Sequence, residues 1–347
     1  MIPLDPDNWT LLESVLVFAG CALAIALAGT RIAGVVDQLA DRTGIGEAAA
    51  GAVLLGASTS LGGSVLSVTA AWNGHAELAV SNALGGIAVQ TFFLAIADIA
   101  YRRANLEHAA ASAPNMMQNA LLICLLALIL LSPFLPAVSL WGIHPVTPVL
   151  LGFYLYGLHL VRGATDNPMW HPRRTRETRE DTPDDTDKMP ALPRLWGEFF
   201  VLMVVLGLTG WTLESAAAGI ATHSGMSQTL VGVLLTAIST SIPELVTSVA
   251  AVRRGALTMA VSGIIGGNAF DTLFTAAADI AYRDGSIYHA IPQQVHFWVA
   301  LTLLMAGVLM MGLIRRERYG LGRIGVESVV IMALYLLGVS VLLSGQS

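Results

Sequence analysis

Charge is scarce in this sequence. Asp, Glu, Lys and Arg together make up 12% of its 347 residues, hydrophobic residues make up 55%, and the mean hydropathy is +0.68. No ordinary soluble domain of this length has that balance. Cysteine is nearly absent: Cys21 and Cys124 both fall inside apolar runs, where disulfides are uncommon and small apolar packing accounts for them. No phosphate loop, nucleotide signature or nucleophile–base arrangement occurs, so an enzyme is not expected. The net charge of −6 gives no reason to expect a nucleic-acid partner. No Lys or Arg precedes Arg31, so the first apolar run lacks the basic segment of a cleaved signal and is expected to stay as a membrane helix.

What is present is long apolar runs. A helical span needs roughly 20 such residues, and ten runs qualify, at about 11–34, 46–71, 77–101, 117–137, 144–162, 195–221, 227–252, 257–281, 293–314 and 324–344. They are continuously apolar, whereas strands of a membrane barrel alternate. The expected fold is an all-α polytopic membrane protein of ten transmembrane helices, with the lipid bilayer as its partner. With the N-terminus outside, 17 of the 18 Lys and Arg residues fall on the cytoplasmic side and only Arg283 falls outside. That bias predicts two extracytoplasmic termini. Residues 165–190 are polar, proline-containing and mixed in charge, and they read as a cytoplasmic linker. The expected organisation is a first five-helix repeat (1–163), a linker (164–194) and a second five-helix repeat (195–347).

The two halves are related. A shift of 181 positions aligns 51–102 with 232–283 without a gap, and 25 of the 52 positions are identical. Five helices per half is an odd number, so the second copy must enter the membrane from the opposite side. Inverted-topology repeats are a mark of secondary transporters, which place their sites near the bilayer midplane.

Ser-Thr-Ser occurs in both copies, as STSLGGS (58–64) and STSIPEL (239–245), near the middle of an over-long apolar run. A membrane helix can break there if the freed backbone faces protein or water, and Pro243 and the Gly62–Gly63 pair both favour a break. Glu244 stands beside it, and an ionisable group at such a depth costs roughly 2.5–3.5 kcal/mol, which makes it a functional candidate. One helix later, GGNAFDT (266–272) puts Asn268 and Asp271 on one helical face, and GGIAVQT (85–91) offers Gln90 opposite Asp271. Together with Thr59, Ser60, Thr240 and Ser241 these residues form an oxygen-only set, which suits Ca²⁺, Na⁺ or protons better than zinc or copper.

STSIPELVTSVAA followed by GGNAFD resembles the second alpha-repeat of the cation/calcium exchanger superfamily, the sodium/calcium exchanger type, and 51–102 resembles the first. The resemblance spans essentially the whole chain. It implies alternating-access antiport in the cell (inner) membrane, no enzymatic cofactor, and Ca²⁺ and Na⁺ or H⁺ as transported ions. It also implies Thr240, Ser241, Glu244 and Asp271 as ion ligands, with Thr59, Ser60 and Gln90 from the first copy. The chain departs from the family where an acid is expected and Gly63 stands, and where hydroxyl residues are expected and Gly86 and Gly267 stand. The site then carries at most two negative charges, enough for one Ca²⁺ or about two monovalent ions per cycle. Two other readings remain open: a monovalent Na⁺ or K⁺/H⁺ exchanger, and a non-transporting binding protein with a decayed first repeat. Asp98 and Asp279, in the repeated ADIAYR, are expected to anchor helix ends, and His75 and Glu77 to form a solvated loop face. Glu214 and the histidines show no pairing that suggests catalysis. Oligomeric state is not legible in the sequence.

Overall fold

A computed structural model describes residues 9–43, 56–101, 104–166, 170, 173, 190–254, 257–320 and 324–345. The apolar runs fold as helices, because a chain surrounded by lipid must satisfy each backbone group within its own segment. In chain order they are α1 (Leu11–Thr43), α2 (Leu61–Trp72), α3 (Ala76–Ala100), α4 (Ala113–Leu131), α5 (Val146–Asp166), α6 (Leu192–Ser224), α7 (Ala237–Arg254), α8 (Leu257–Ala281), α9 (Gln293–Arg315) and α10 (Val326–Ser344). A single turn, Gly56–Thr59, precedes α2, and a π-helical turn, Val231–Thr236, leads into α7. Short helices Leu106–Ala110 and Ile287–Ala290 follow α3 and α8. Local chemistry sets the ends. Ser112 caps α4 by accepting the Asn115 N–H, and Gly225, at φ 73°, supplies the left-handed residue that ends α6.

The protein has an all-helical membrane fold. Seven described helices are long and apolar enough to cross a membrane. The other three expected spans fall on α2, which is short, and on α5 and α8, which polar residues dilute; in α8 these include Asn268, Asp271 and Thr272. Residues 46–55 of the second expected span, Glu47 among them, lie outside the described residues, as do Arg102, Arg103 and most of the 164–194 linker.

The expected helix break appears in one copy only. Ser60 interrupts the first copy between the Gly56–Thr59 turn and α2. In the second copy the helix runs through Pro243, and the irregularity lies upstream in the π turn. A π turn absorbs an extra residue and resets the helix before the proline is reached.

The α3 helix sits at the centre and packs on α2, α7, α8, α9 and α10. The α1 and α6 helices pack chiefly on each other, and with α2 they form a separate apolar cluster that includes Ile25, Ile32, Leu66, Leu206 and Leu213. Their outer faces expose Leu16, Leu23, Leu27, Phe200, Val204 and Leu208, as lipid-facing surfaces do. Two glycines bring this pair onto the rest. A methyl group on Gly29 would lie 2.3 Å from Pro243 Cγ, and one on Gly210 would lie 2.3 Å from the Gly62 carbonyl oxygen. Gly29 and Gly210 are 181 positions apart, as are Gly62 and Pro243, so each flanking helix leans on the Ser-Thr-Ser region of the other half.

Candidate cation site

The α2, α3, α7 and α8 helices converge on a small cavity lined by Ser60, Gly63, Asn82, Gly86, Gln90, Thr240, Ser241, Asp271 and Phe274. The Ser-Thr-Ser segments contribute Ser60, Thr240 and Ser241 to the lining, and the Gly-Gly helices contribute Gly86, Gln90 and Asp271. Gly85 permits the approach of α3 to the π turn: a methyl on it would stand 2.7 Å from Val233 Cα, too close for any side chain.

Around the cavity, polar atoms pair across the two halves, and Glu244, which does not line it, joins it through Ser60. Gln90 Nε2 donates to Asp271 Oδ2 at 2.7 Å and to Ser241 Oγ at 3.3 Å. Ser60 Oγ donates to Glu244 Oε1 at 3.3 Å. Glu244 and Asp271 are both buried, and their second oxygens, Glu244 Oε2 and Asp271 Oδ1, have no donor; Gln90 Oε1 also has none. No group of three or more His, Cys, Asp or Glu side chains placed to hold a metal occurs among the described residues, so two acids and neutral oxygens make up the donor set. The arrangement is rich in acceptors and poor in donors, which is what a hard cation or a proton completes.

The other residues singled out in the sequence take different positions. Thr240 lines the cavity, but its hydroxyl donates to the Thr236 carbonyl at 2.9 Å. Thr59 donates to Gly56 O at 3.4 Å and, like Glu244, is not among the lining residues, but its side chain also interacts with the Glu244 carboxyl. Asn268 Nδ2 donates to Thr91 Oγ1 at 3.0 Å, joining α8 to α3, and its Oδ1 is buried without a donor. Asn82 was not singled out. It donates to the Gly63 carbonyl at 3.1 Å and to Ser67 Oγ at 3.0 Å, and its Oδ1 has no donor. An amide in VSNALGG where the second copy has VSGIIGG was the available signal.

Two loop residues were misjudged as a solvated face. His75 Nδ1 lies 2.9 Å from Oε1 of the buried Glu214, and Asn73 Nδ2 donates to its Oε2 at 3.1 Å. Glu77 Oε1 accepts the Thr229 backbone N–H at 2.7 Å and also the Thr229 hydroxyl. Both contacts join positions more than a hundred residues apart, and such pairing has no local sequence signature.

Residues 13–161 and 195–344 match the family model described as sodium/calcium exchanger protein. The chain belongs to that family. This exchanger is 29% identical over 313 residues to CaxA of Alkalimonas amylolytica, which is named as an antiporter; the match covers 88% of this chain and 92% of CaxA. Among solved structures, a protein described as the H⁺/Ca²⁺ exchanger CAX shares the fold with a TM-score of 0.65 at 15% identity, covering 96% of this chain and 88% of that one. The sodium-calcium exchanger NCX_Mj shares it with a TM-score of 0.60 at 16% identity, covering 94% and 97%. The exchanger is thus an integral membrane antiporter of inorganic cations, not an enzyme.

Proposed function

We propose that this exchanger moves Ca²⁺ against Na⁺ or H⁺ by alternating access at the site between α2, α3, α7 and α8. The observation that carries the proposal is the set of buried oxygens without donors, Glu244 Oε2, Asp271 Oδ1 and Gln90 Oε1. Leaving such an atom unpaired away from water costs about 1–3 kcal/mol, and a bound cation or proton removes that cost. The names of both solved relatives include Ca²⁺ or calcium; they differ in the coupling ion. Glu244 and Asp271 supply the charge, Ser60, Ser241 and Gln90 complete the shell, and Thr59, Thr240 and Asn268 hold the surrounding backbone and helices in place. Two carboxylates balance one Ca²⁺, so the return step carries two H⁺ or two Na⁺ and the cycle is electroneutral. In this proposal the halves 1–163 and 195–347 insert with opposite topology, and both termini are extracytoplasmic.

The test is uptake of radiolabelled Ca²⁺ into proteoliposomes, driven separately by an outward Na⁺ gradient and an outward proton gradient. Uptake under one gradient, unchanged by a clamped membrane potential and lost to background in Glu244→Gln, is the expected outcome. No Ca²⁺ flux under either gradient overturns it. That outcome would favour monovalent exchange, to which the glycine at position 63 already points: a site with one acid fewer holds a divalent ion less tightly.

A further inference from the structure

The sequence DIAYR occurs at 98–102 and again at 279–283, and the aspartate of each copy ties distant parts of the chain together. Asp279 accepts the backbone N–H groups of Ile287 at 3.3 Å and His144 at 2.8 Å, and the Thr147 hydroxyl at 2.6 Å; Thr147 Oγ1 in turn lies 2.9 Å from Tyr288 Oη. Asp98 accepts the backbone N–H groups of Leu106 at 2.6 Å and Gly325 at 2.8 Å, and nearby Ser328 Oγ donates to Glu107 Oε1 at 2.8 Å. Leu106 and Ile287, Gly325 and His144, and Ser328 and Thr147 are each 181 positions apart, the offset of the repeat. So are Glu107 and Tyr288. The molecule carries one latch built twice, with a glutamate at one end in the place of a tyrosine at the other.

The exchange of residues changes the chemistry. A phenol always has a hydrogen to donate near neutral pH, whereas a carboxyl has one only when protonated. Glu107 is 4% exposed, and its Oε2 is buried without a partner. A methyl group on Gly325 would lie 2.9 Å from that oxygen and 3.3 Å from Asp98 Oδ2, so the two acids crowd one point. Two backbone N–H groups already point at Asp98, so a proton held by the pair belongs on Glu107. The charged neighbours are few. From α10, Glu327 adds a third acid, with Arg315 of α9 at 3.9 Å from it. On the short helix of Glu107 itself, His108 Nδ1 meets the Arg316 carbonyl, and the Arg316 guanidinium donates back to the His108 carbonyl. Burial, aided by the neighbouring Asp98, pushes the Glu107 carboxyl up to about 7.

We propose that Glu107 is a proton-binding site: protonated, it takes the tyrosine's role and closes the Asp98 latch at the arginine-rich end of the molecule, and loss of the proton to solvent loosens the grip of α10 and the 104–111 segment on α3. The proposal is independent of which cation the exchanger carries. Linkage fixes its sign. In the opened latch Glu107 returns to its ordinary value of 4.5, so between there and about 7 the closed form holds the extra proton. Opening therefore increases with pH across that window and levels off above it.

The experiment is hydrogen–deuterium exchange of the 104–111 and 325–331 segments in the full-length protein, with each rate divided by its intrinsic chemical rate. Opening in the wild type is expected to rise on the order of one hundredfold between pH 5 and pH 8, and in Glu107→Gln and Glu107→Tyr to stay flat. A flat wild-type profile overturns the proposal, and so does a Glu107→Gln profile that still rises, because another group is then titrating. If neither variant folds, infrared difference spectra of the protein carrying Glu244→Gln and Asp271→Asn, with Glu107 intact, decide: a protonated carboxyl band lost on alkalinisation with a midpoint near 7 supports the proposal, and no such band near that pH refutes it.

Discussion

Gln90 shows how one residue changes the site. It stands where the second copy has Asp271, and the two now meet at 2.7 Å. Two carboxylates so placed would repel. The amide instead donates to one Asp271 oxygen and leaves the other facing the cavity. Gln90→Ala removes the donor and is expected to weaken apparent Ca²⁺ affinity by about tenfold, roughly 1.4 kcal/mol, with folded protein retained; the KM for Ca²⁺ uptake measures it. Gly63→Glu tests the charge. A Cβ there would make ordinary contact, 3.5 Å from Phe274 and Thr240, and the Phe274 ring has to turn to admit the rest. With a third carboxylate in the site, Ca²⁺ uptake is expected to respond to an imposed membrane potential that leaves the wild type unaffected. An unchanged response would show that charge at position 63 does not set the coupling. The acids and Gln90 were legible because polar residues in an apolar run are few enough to examine singly. Asn82, the asparagine of a Ser-Asn pair in an apolar run, has no acid or repeated amide opposite it in the second copy, and its role shows only where α3 faces the cavity. For Asn268, spacing gives only the face it shares with Asp271; packing adds that its NH₂ goes to Thr91 while its Oδ1 stays buried without a donor.

At the scale of the helix, the flanking helices touch the Ser-Thr-Ser regions through glycine. Gly210 meets the backbone oxygen of Gly62, which cannot swing aside, whereas Gly207 on the same helix has nothing within 4 Å of its would-be methyl. Gly210→Ala is therefore expected to destabilise the protein by about 1–3 kcal/mol through overpacking. Gly207→Ala is expected to be neutral or slightly stabilising, because alanine has the higher helix propensity. Thermal unfolding of the two variants in detergent separates them, and equal shifts would refute the close packing of α6 on the first Ser-Thr-Ser region. Helix positions could be read from hydropathy because lipid imposes a simple rule on composition. The fate of Pro243 could not. A proline in an apolar run marks a lost N–H but does not say where the strain goes, and here the π turn at Val231–Thr236 lies a full turn and more before it. The same limit hid the His75–Glu214 contact, which depends on how α6 meets the α2–α3 loop.

Across the whole molecule, the two Asp latches join the halves reciprocally: Asp98 of the first holds Gly325 of the second, and Asp279 of the second holds His144 of the first. Both aspartates are fully buried, yet their surroundings differ in charge, and this predicts unequal costs for one substitution. At Asp279 the partners are N–H and O–H donors. Asparagine there loses an acceptor and turns an NH₂ group toward donors, with an expected cost of about 3 kcal/mol. At Asp98 the NH₂ of asparagine can donate to the partnerless Oε2 of Glu107 and relieve the crowding of Asp98, Glu107 and Glu327. Asp98→Asn is therefore expected to cost less than Asp279→Asn. Its cost should also shrink by about 1 kcal/mol from pH 6 to pH 8, because the wild type loses stability as the pH rises toward about 7, where Glu107 beside Asp98 is still held protonated, and the variant, whose Glu107 faces an amide, loses less. Apparent melting temperatures of both variants at the two pH values test this. An Asp98→Asn penalty that equals that of Asp279→Asn and does not change with pH would mean that the two ends of the molecule are latched by the same chemistry, and that the glutamate in the tyrosine's place is without consequence.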